Sequence, residues 1–139
     1  MSVKDDVDAI LAKHNICVLA TVAADGKPES AMVGFSHGEN LELLVGTSHK
    51  TRKYANIQRN SHVAVVVGDN EAEIQYEGTI RELDLTEAEK FLKKHFEKLI
   101  GAEKYLEDPN QRWLLITPTW LRLTLHNDHD RIEELRQFS

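Results

Sequence analysis

Leu43–Val67, LLVGTSHKTRKYANIQRNSHVAVVV, is the stretch on which the reading of the whole chain turns. It opens as an apolar strand, Leu43 to Val45, and passes through Thr47, Ser48, Thr51, Arg52 and Lys53 into a short helix. A second apolar, β-branched strand follows, Val63 to Val67. Hydroxyls and two cations therefore gather where a helix begins. The first backbone N–H groups of a helix lack internal partners and carry partial positive charge. With Arg52 and Lys53 added, the position suits a phosphate. A helix start by itself prefers anions, so cations there are locally unfavourable unless an anion is bound. Thr47 or Ser48 is expected to cap the helix, and capping is compatible with binding.

Upstream, Ile16 to Val22 is an almost unbroken apolar run that suits a strand covered on both faces. Ala24-Asp25-Gly26-Lys27-Pro28 carries the Asp-Gly signal of a hairpin turn, and Ser30 to Phe35 is the return strand. Ser36-His37-Gly38-Glu39-Asn40 turns the chain again into Leu41 to Gly46, completing a meander. Before it, Ser2 to Lys13 reads as a helix. Val3, Val7, Ile10 and Leu11 share one face, and Ser2 with Asp5 can cap the start.

Downstream, Asp69-Asn70 marks a turn into the alternating segment Glu71 to Leu83. Ala72, Ile74, Tyr76 and Ile80 face one way; Glu73, Gln75, Glu77, Thr79 and Arg81 face the other. Gly78 in mid-strand predicts a bulge or a barrel corner. Thr86-Glu87-Ala88-Glu89 reads as a capping box that opens a helix, with Ala88, Phe91, Leu92, Phe96 and Leu99 on one stripe and Gly101 at its end. Tyr105 to Gln111 is expected to be irregular or briefly helical. Trp113 to Thr117 and Trp120 to Leu125 read as two strands around Thr117-Pro118, and the charged tail from Asp130 is read as helical. Six or seven short strands joined mostly by hairpins, with three or four helices, predict a mainly β (β plus α) fold. The sheet is expected to be antiparallel and to close as a barrel rather than a doubly wound sheet.

The 139 residues suit one domain with a real core. Lys and Arg total 17 against 23 Asp and Glu, a net charge of −6, which argues against a nucleic-acid surface. A basic cluster confined to residues 50–53 of an acidic chain fits a small anionic ligand better than a polyanion. Cys17 lies in the apolar run ICVLATV and is read as a buried thiol. A single cysteine allows no disulfide within the chain, consistent with a reducing compartment. The polar start MSVKDDVDAI is not a signal peptide, and no apolar run approaches the length of a membrane span. A soluble cytoplasmic protein is expected.

From about Ile16 to Leu125 this order of elements resembles the pyridoxamine 5′-phosphate oxidase-like superfamily of FMN-binding split β-barrels. VLATVAADGKPESAMVGF resembles the opening hairpin, GTSHKTRKYANIQRNSHVAVVV the phosphate-binding stretch, and EIQYEGTIREL the long strand after it. The resemblance implies a six- to seven-stranded split barrel with flanking helices. It implies that Thr51, Arg52 and Lys53 hold the flavin phosphate. The ring would lie along the strand Ser30, Ala31, Met32 and Val33, whose backbone can meet the pyrimidine edge, and Gly46 and Thr47 would flank the ribityl chain. Members of the family are usually homodimers with FMN at the interface. Gln75 and Trp120 to Thr124 would then reach the flavin of the other subunit. An apolar slot with few polar contacts is what a flavin ring needs, and Ser30 to Val33 offers small and flexible side chains for close approach.

The vitamin-pathway oxidases place an arginine and a histidine near the C-terminus to hold the substrate phosphate. Here the tail reads Asn127-Asp128-His129-Asp130-Arg131, with Asn127 where the arginine is expected and acidic neighbours that repel a second phosphate. Little oxidase activity of that type is therefore expected. His126, His129, Asp128 and Asp130 lack the spacing of a metal site. No nucleophile stands with a base, so redox chemistry would belong to the flavin. The leading expectation is an FMN-binding oxidoreductase acting as a homodimer on a small molecule. A deazaflavin-dependent reductase and a non-enzymatic flavin or haem carrier remain as alternatives.

Overall fold

The computed structural model describes residues 2–126 and 131–139. Helix α1, Val3–Lys13, leads into strands β1, Ile16–Val22, β2, Pro28–His37, and β3, Leu43–Ser48. Helix α2, Arg52–Arg59, is followed by β4, His62–Gly68, and β5, Ala72–Leu83. Helix α3, Leu85–Lys98, and a 3₁₀ turn, Ala102–Glu107, precede β6, Gln111–Leu125, and β7, Arg131–Leu135. The strands pair in the order β3-β2-β1-β4-β5-β6-β7, and every pairing is antiparallel. β3 also pairs with the first half of β6, from Leu43 opposite Ile116 to Ser48 opposite Gln111. That pairing closes six strands into a barrel and leaves β7 as an extension along the second half of β6. The fold is thus β plus α, an antiparallel barrel with flanking helices.

Alternation sets the interior. Leu19, Phe35, Val45, Val65, Ile74, Ile116, Leu121 and Leu123 point inward and are buried. Val7 and Leu11 of α1 pack onto this core. Tyr76 is buried among them, and its hydroxyl is satisfied by the Leu41 carbonyl at 2.8 Å, with the Ile116 carbonyl at 3.2 Å. A second cluster, Leu44, Leu83, Ala88, Leu92, Trp113 and Leu115, seats α3 on the barrel. Cys17 is buried, and desolvation pushes its thiol pKa up to about 12, so it is a core side chain rather than a nucleophile. Among the described residues no helix is long and apolar enough to cross a membrane.

Three local readings are corrected. Trp113 to Thr117 and Trp120 to Leu125 are halves of one strand. Glu77 pairs with Trp120 and Gly78 with Pro118, so Thr119 is the extra residue of a bulge. A bulge is one of the few places in a sheet that accommodates proline, and the Thr119 hydroxyl ties the kink to the Glu77 carbonyl at 3.2 Å. The capping box of α3 is framed two residues earlier than Thr86 and Glu89. Asp84 caps and Glu87 reaches back, because β5 runs to Leu83 and leaves no linker. From Arg131 the tail is a strand, not a helix, because the second half of β6 offers it a free edge.

Candidate functional site

Helix α2 starts where β3 leaves the barrel. Its cap is Thr51 rather than Thr47 or Ser48. The Thr51 hydroxyl accepts from the Tyr54 N–H at 3.3 Å and donates to the Ser48 carbonyl at 2.9 Å, with the Thr47 hydroxyl 3.2 Å away. His49 and Lys50 fill the turn between, and the Ser48 hydroxyl accepts from the Lys50 N–H at 3.2 Å instead. The first turn of α2 has no acidic residue and carries Arg52 and Lys53. Partial burial lowers the Lys53 pKa.

The strand register leaves an opening beside this helix start. β2 spans Pro28–His37, yet β3 pairs only with Phe35, Ser36 and His37. From Pro28 to Gly34 β2 pairs with β1 alone. β3 meanwhile follows β6 through Gly46, Thr47 and Ser48. The barrel is therefore split between β2 and β3, and alternate backbone groups of Ser30 to Val33 face the split without a strand partner.

Two cavities flank that edge. One, of about 270 Å3, is lined by Leu19, Thr21, Glu29, Ser30, Ala31, Thr51, Arg52 and Lys53. The other, of about 350 Å3, is lined by Met32, Val33, Gly46, Thr47, Lys53, His95 and Trp113 among others. Lys53 borders both. Ser30, Ala31, Met32, Val33, Gly46, Thr47, Thr51, Arg52 and Lys53 thus come together from β2, β3 and the start of α2. Gln75 and Trp120 lie elsewhere, in a groove of about 230 Å3 on the outer face with Val18, Ala20, Ala64 and Val66. Within one chain they do not join the split.

Sequence reasoning missed three residues here. Glu29 accepts from Asn56 Nδ2 at 2.8 Å and pairs with Arg52 at 2.9 Å. Asn56 is buried and also donates to the Thr21 hydroxyl at 2.9 Å. The signal for Glu29 was the period of β2, which places it on the interior face with Ala31 and Val33, opposite Thr21. His95 is the third. It is buried, its Nδ1 lies 2.7 Å from the Ser36 hydroxyl, and it meets Trp113 and Phe96 edge-on. Burial, with a smaller contribution from Lys98, pulls its pKa down to about 4, so it is neutral at pH 7.

Of the tail, Asn127, Asp128, His129 and Asp130 lie outside the described residues. Arg131 is described and pairs with Asp6 at 2.6 Å and Glu133 at 3.2 Å; Arg122 pairs with Glu134 at 3.2 Å. Among the described residues no group of three or more His, Cys, Asp or Glu is placed to hold a metal ion. The donor set at the split suits a phosphorylated ligand with a flat polar edge. It offers two cations at a helix start, hydroxyls beside them and an unpaired strand edge. The exception is the Glu29 carboxylate.

The family model described as pyridoxamine 5′-phosphate oxidase matches residues 3–125. No curated protein matches the sequence significantly. Among solved structures, General Stress Protein 26 from Bacillus anthracis is 28% identical with a TM-score of 0.76, over 99% of this chain and 100% of that one. A heme binding protein from Mycobacterium smegmatis is 15% identical with a TM-score of 0.83, over 98% of this chain and 58% of that one. Protein Atu2129 from Agrobacterium tumefaciens, of unknown function, is 15% identical with a TM-score of 0.75, over 82% of this chain and 52% of that one. The chain therefore spans less than two thirds of the last two proteins, and likeness to them is one of fold.

Proposed function

We infer the function from a family premise: the chain belongs to the pyridoxamine 5′-phosphate oxidase family. We propose that it is an FMN-binding flavoprotein, acting as a homodimeric oxidoreductase on a small molecule. The observation that carries this reading is the split itself, an unpaired β2 edge leading to Arg52 and Lys53 at the start of α2. In this reading Arg52, Lys53 and the first N–H groups of α2 hold the phosphate. The backbone of Ser30 to Val33 hydrogen-bonds the polar edge of the ring. Gly46 and Thr47 line the path between ring and phosphate. A second protomer seated on the apolar outer face brings its Gln75 and Trp120 toward the ring. FMN, when bound, supplies hydride transfer; the protein positions the ring and excludes water from one of its faces.

The neutral His95 at the back of the second cavity keeps a further positive charge away from the ring. Arg122 and Arg131 are each committed to carboxylates, which disfavours a second phosphate site and hence pyridoxamine 5′-phosphate as substrate. The visible spectrum of the purified protein, before and after reconstitution with FMN, tests the assignment. Stoichiometric uptake with flavin bands is expected. A haem Soret band, deazaflavin absorbance, or failure to take up FMN would each overturn it.

A further inference from the structure

The group in the cradle that does not suit a phosphate is Glu29. Its side chain is 17% exposed, whereas that of the Arg52 paired with it is 77% exposed. The carboxylate is held from behind: Asn56 donates to it at 2.8 Å and is itself buried and tied to Thr21 at 2.9 Å. Arg52 is thus free to turn toward a ligand, and Glu29 is not free to withdraw. Lys53 makes no ion pair among the described residues. Two cations and one carboxylate border the same cavity of about 270 Å3.

We propose that Glu29 is a fixed counter-charge in the phosphate cradle that limits its grip on a phosphomonoester dianion and keeps the cofactor exchangeable. The proposal rests on the phosphate reading above. In the free site the Glu29–Arg52 pair offsets the cationic cluster that α2 would otherwise hold unpaired in its first turn. Binding requires the phosphate to take Arg52 from Glu29. The carboxylate is then left facing the dianion, and like charges brought close in a partly buried site repel. Affinity is set by the difference between these states rather than by the sum of two cation contacts.

Glu29→Gln removes the charge and keeps an acceptor for Asn56; Glu29→Ala removes both. FMN and riboflavin are titrated against each variant and the unaltered protein by quenching of flavin fluorescence, and FMN release is timed by dilution. Removing one opposing charge is expected to tighten FMN about tenfold, ~1.4 kcal/mol, with slower release. Riboflavin, which has no phosphate, should bind all three proteins alike, and this doubles as the control for folding. If the unaltered protein prefers FMN but neither variant binds it more tightly, Glu29 has no such role and the phosphate reading stands. If all three proteins bind FMN and riboflavin equally, the phosphate reading fails and this proposal with it.

Discussion

His95 shows how one side chain ties stability to pH. It is 3% exposed, and its pKa lies at about 4 against an ordinary value of 6.5. Between those values the unfolded chain binds a proton that the folded chain refuses. The stability His95 permits is therefore complete above about pH 6.5, falls as pH drops toward 4, and levels off below that, a loss of about 3 kcal/mol if the full shift is realised. Chemical denaturation at pH 7 and pH 4.5 should show the fall, and His95→Asn should flatten much of it. A residue of slope will remain from His37, whose pKa is also lowered, chiefly by desolvation. An identical slope in the variant would exclude His95 as the source. Neither His95 nor Glu29 stood out in the sequence, for a common reason. Each is a polar residue at an inward position of an otherwise apolar pattern, and only the partner across the fold, Ser36 for one and Asn56 for the other, shows how it is satisfied.

Elements were readable where the signal was local. The Asp-Gly turn, the alternation of β5 and the break at Gly78 are properties of adjacent residues, and the structure contains all three. Readings failed where two frames were locally equivalent or where a distant edge decided. Asp84 and Thr86 both begin a capping pattern, and only the end of β5 selects Asp84. Thr117-Pro118 looks like a break until Gly78 is seen opposite Pro118. The tail becomes a strand because β6 has a free edge, which no property of residues 131–135 announces. The bulge gives a prediction. A Cβ at Gly78 would collide with the Thr117 carbonyl, a backbone group that cannot swing aside. Gly78→Ala should therefore destabilise by roughly 1–3 kcal/mol, the range for forced overpacking. The urea midpoint measures it, and an unchanged midpoint would mean that the kink relaxes freely.

Over the whole molecule, the barrel's closure and its split come from one choice of partners: β3 stays with β6 while β2 parts from it. That separation gives a helix start carrying Arg52 and Lys53 an unpaired strand edge as its neighbour. The outer face has its own demand. Met32 is 72% exposed and Ile16 47%, with Val18 and Val66 beside them and Ala20 and Ala64 in the adjoining groove. Large exposed apolar patches tend to mark interaction surfaces, and in the proposed function a second copy covers this one. Light scattering at micromolar concentration should give the mass of a dimer, and Met32→Glu should shift it to the monomer. A monomer that takes up FMN normally would detach the site from any interface.

The central claim is that the start of α2 holds the cofactor's phosphate. Calorimetric titration of FMN and of riboflavin into the unaltered protein and into the Arg52→Ala, Lys53→Ala double variant tests it most directly. Contacts from charged groups contribute about 1.5–3 kcal/mol each; less the cost of parting Arg52 from Glu29, losing both should weaken FMN by at least about tenfold. Riboflavin affinity should stay nearly unchanged. Equal losses for the two ligands, or none for either, would contradict the claim.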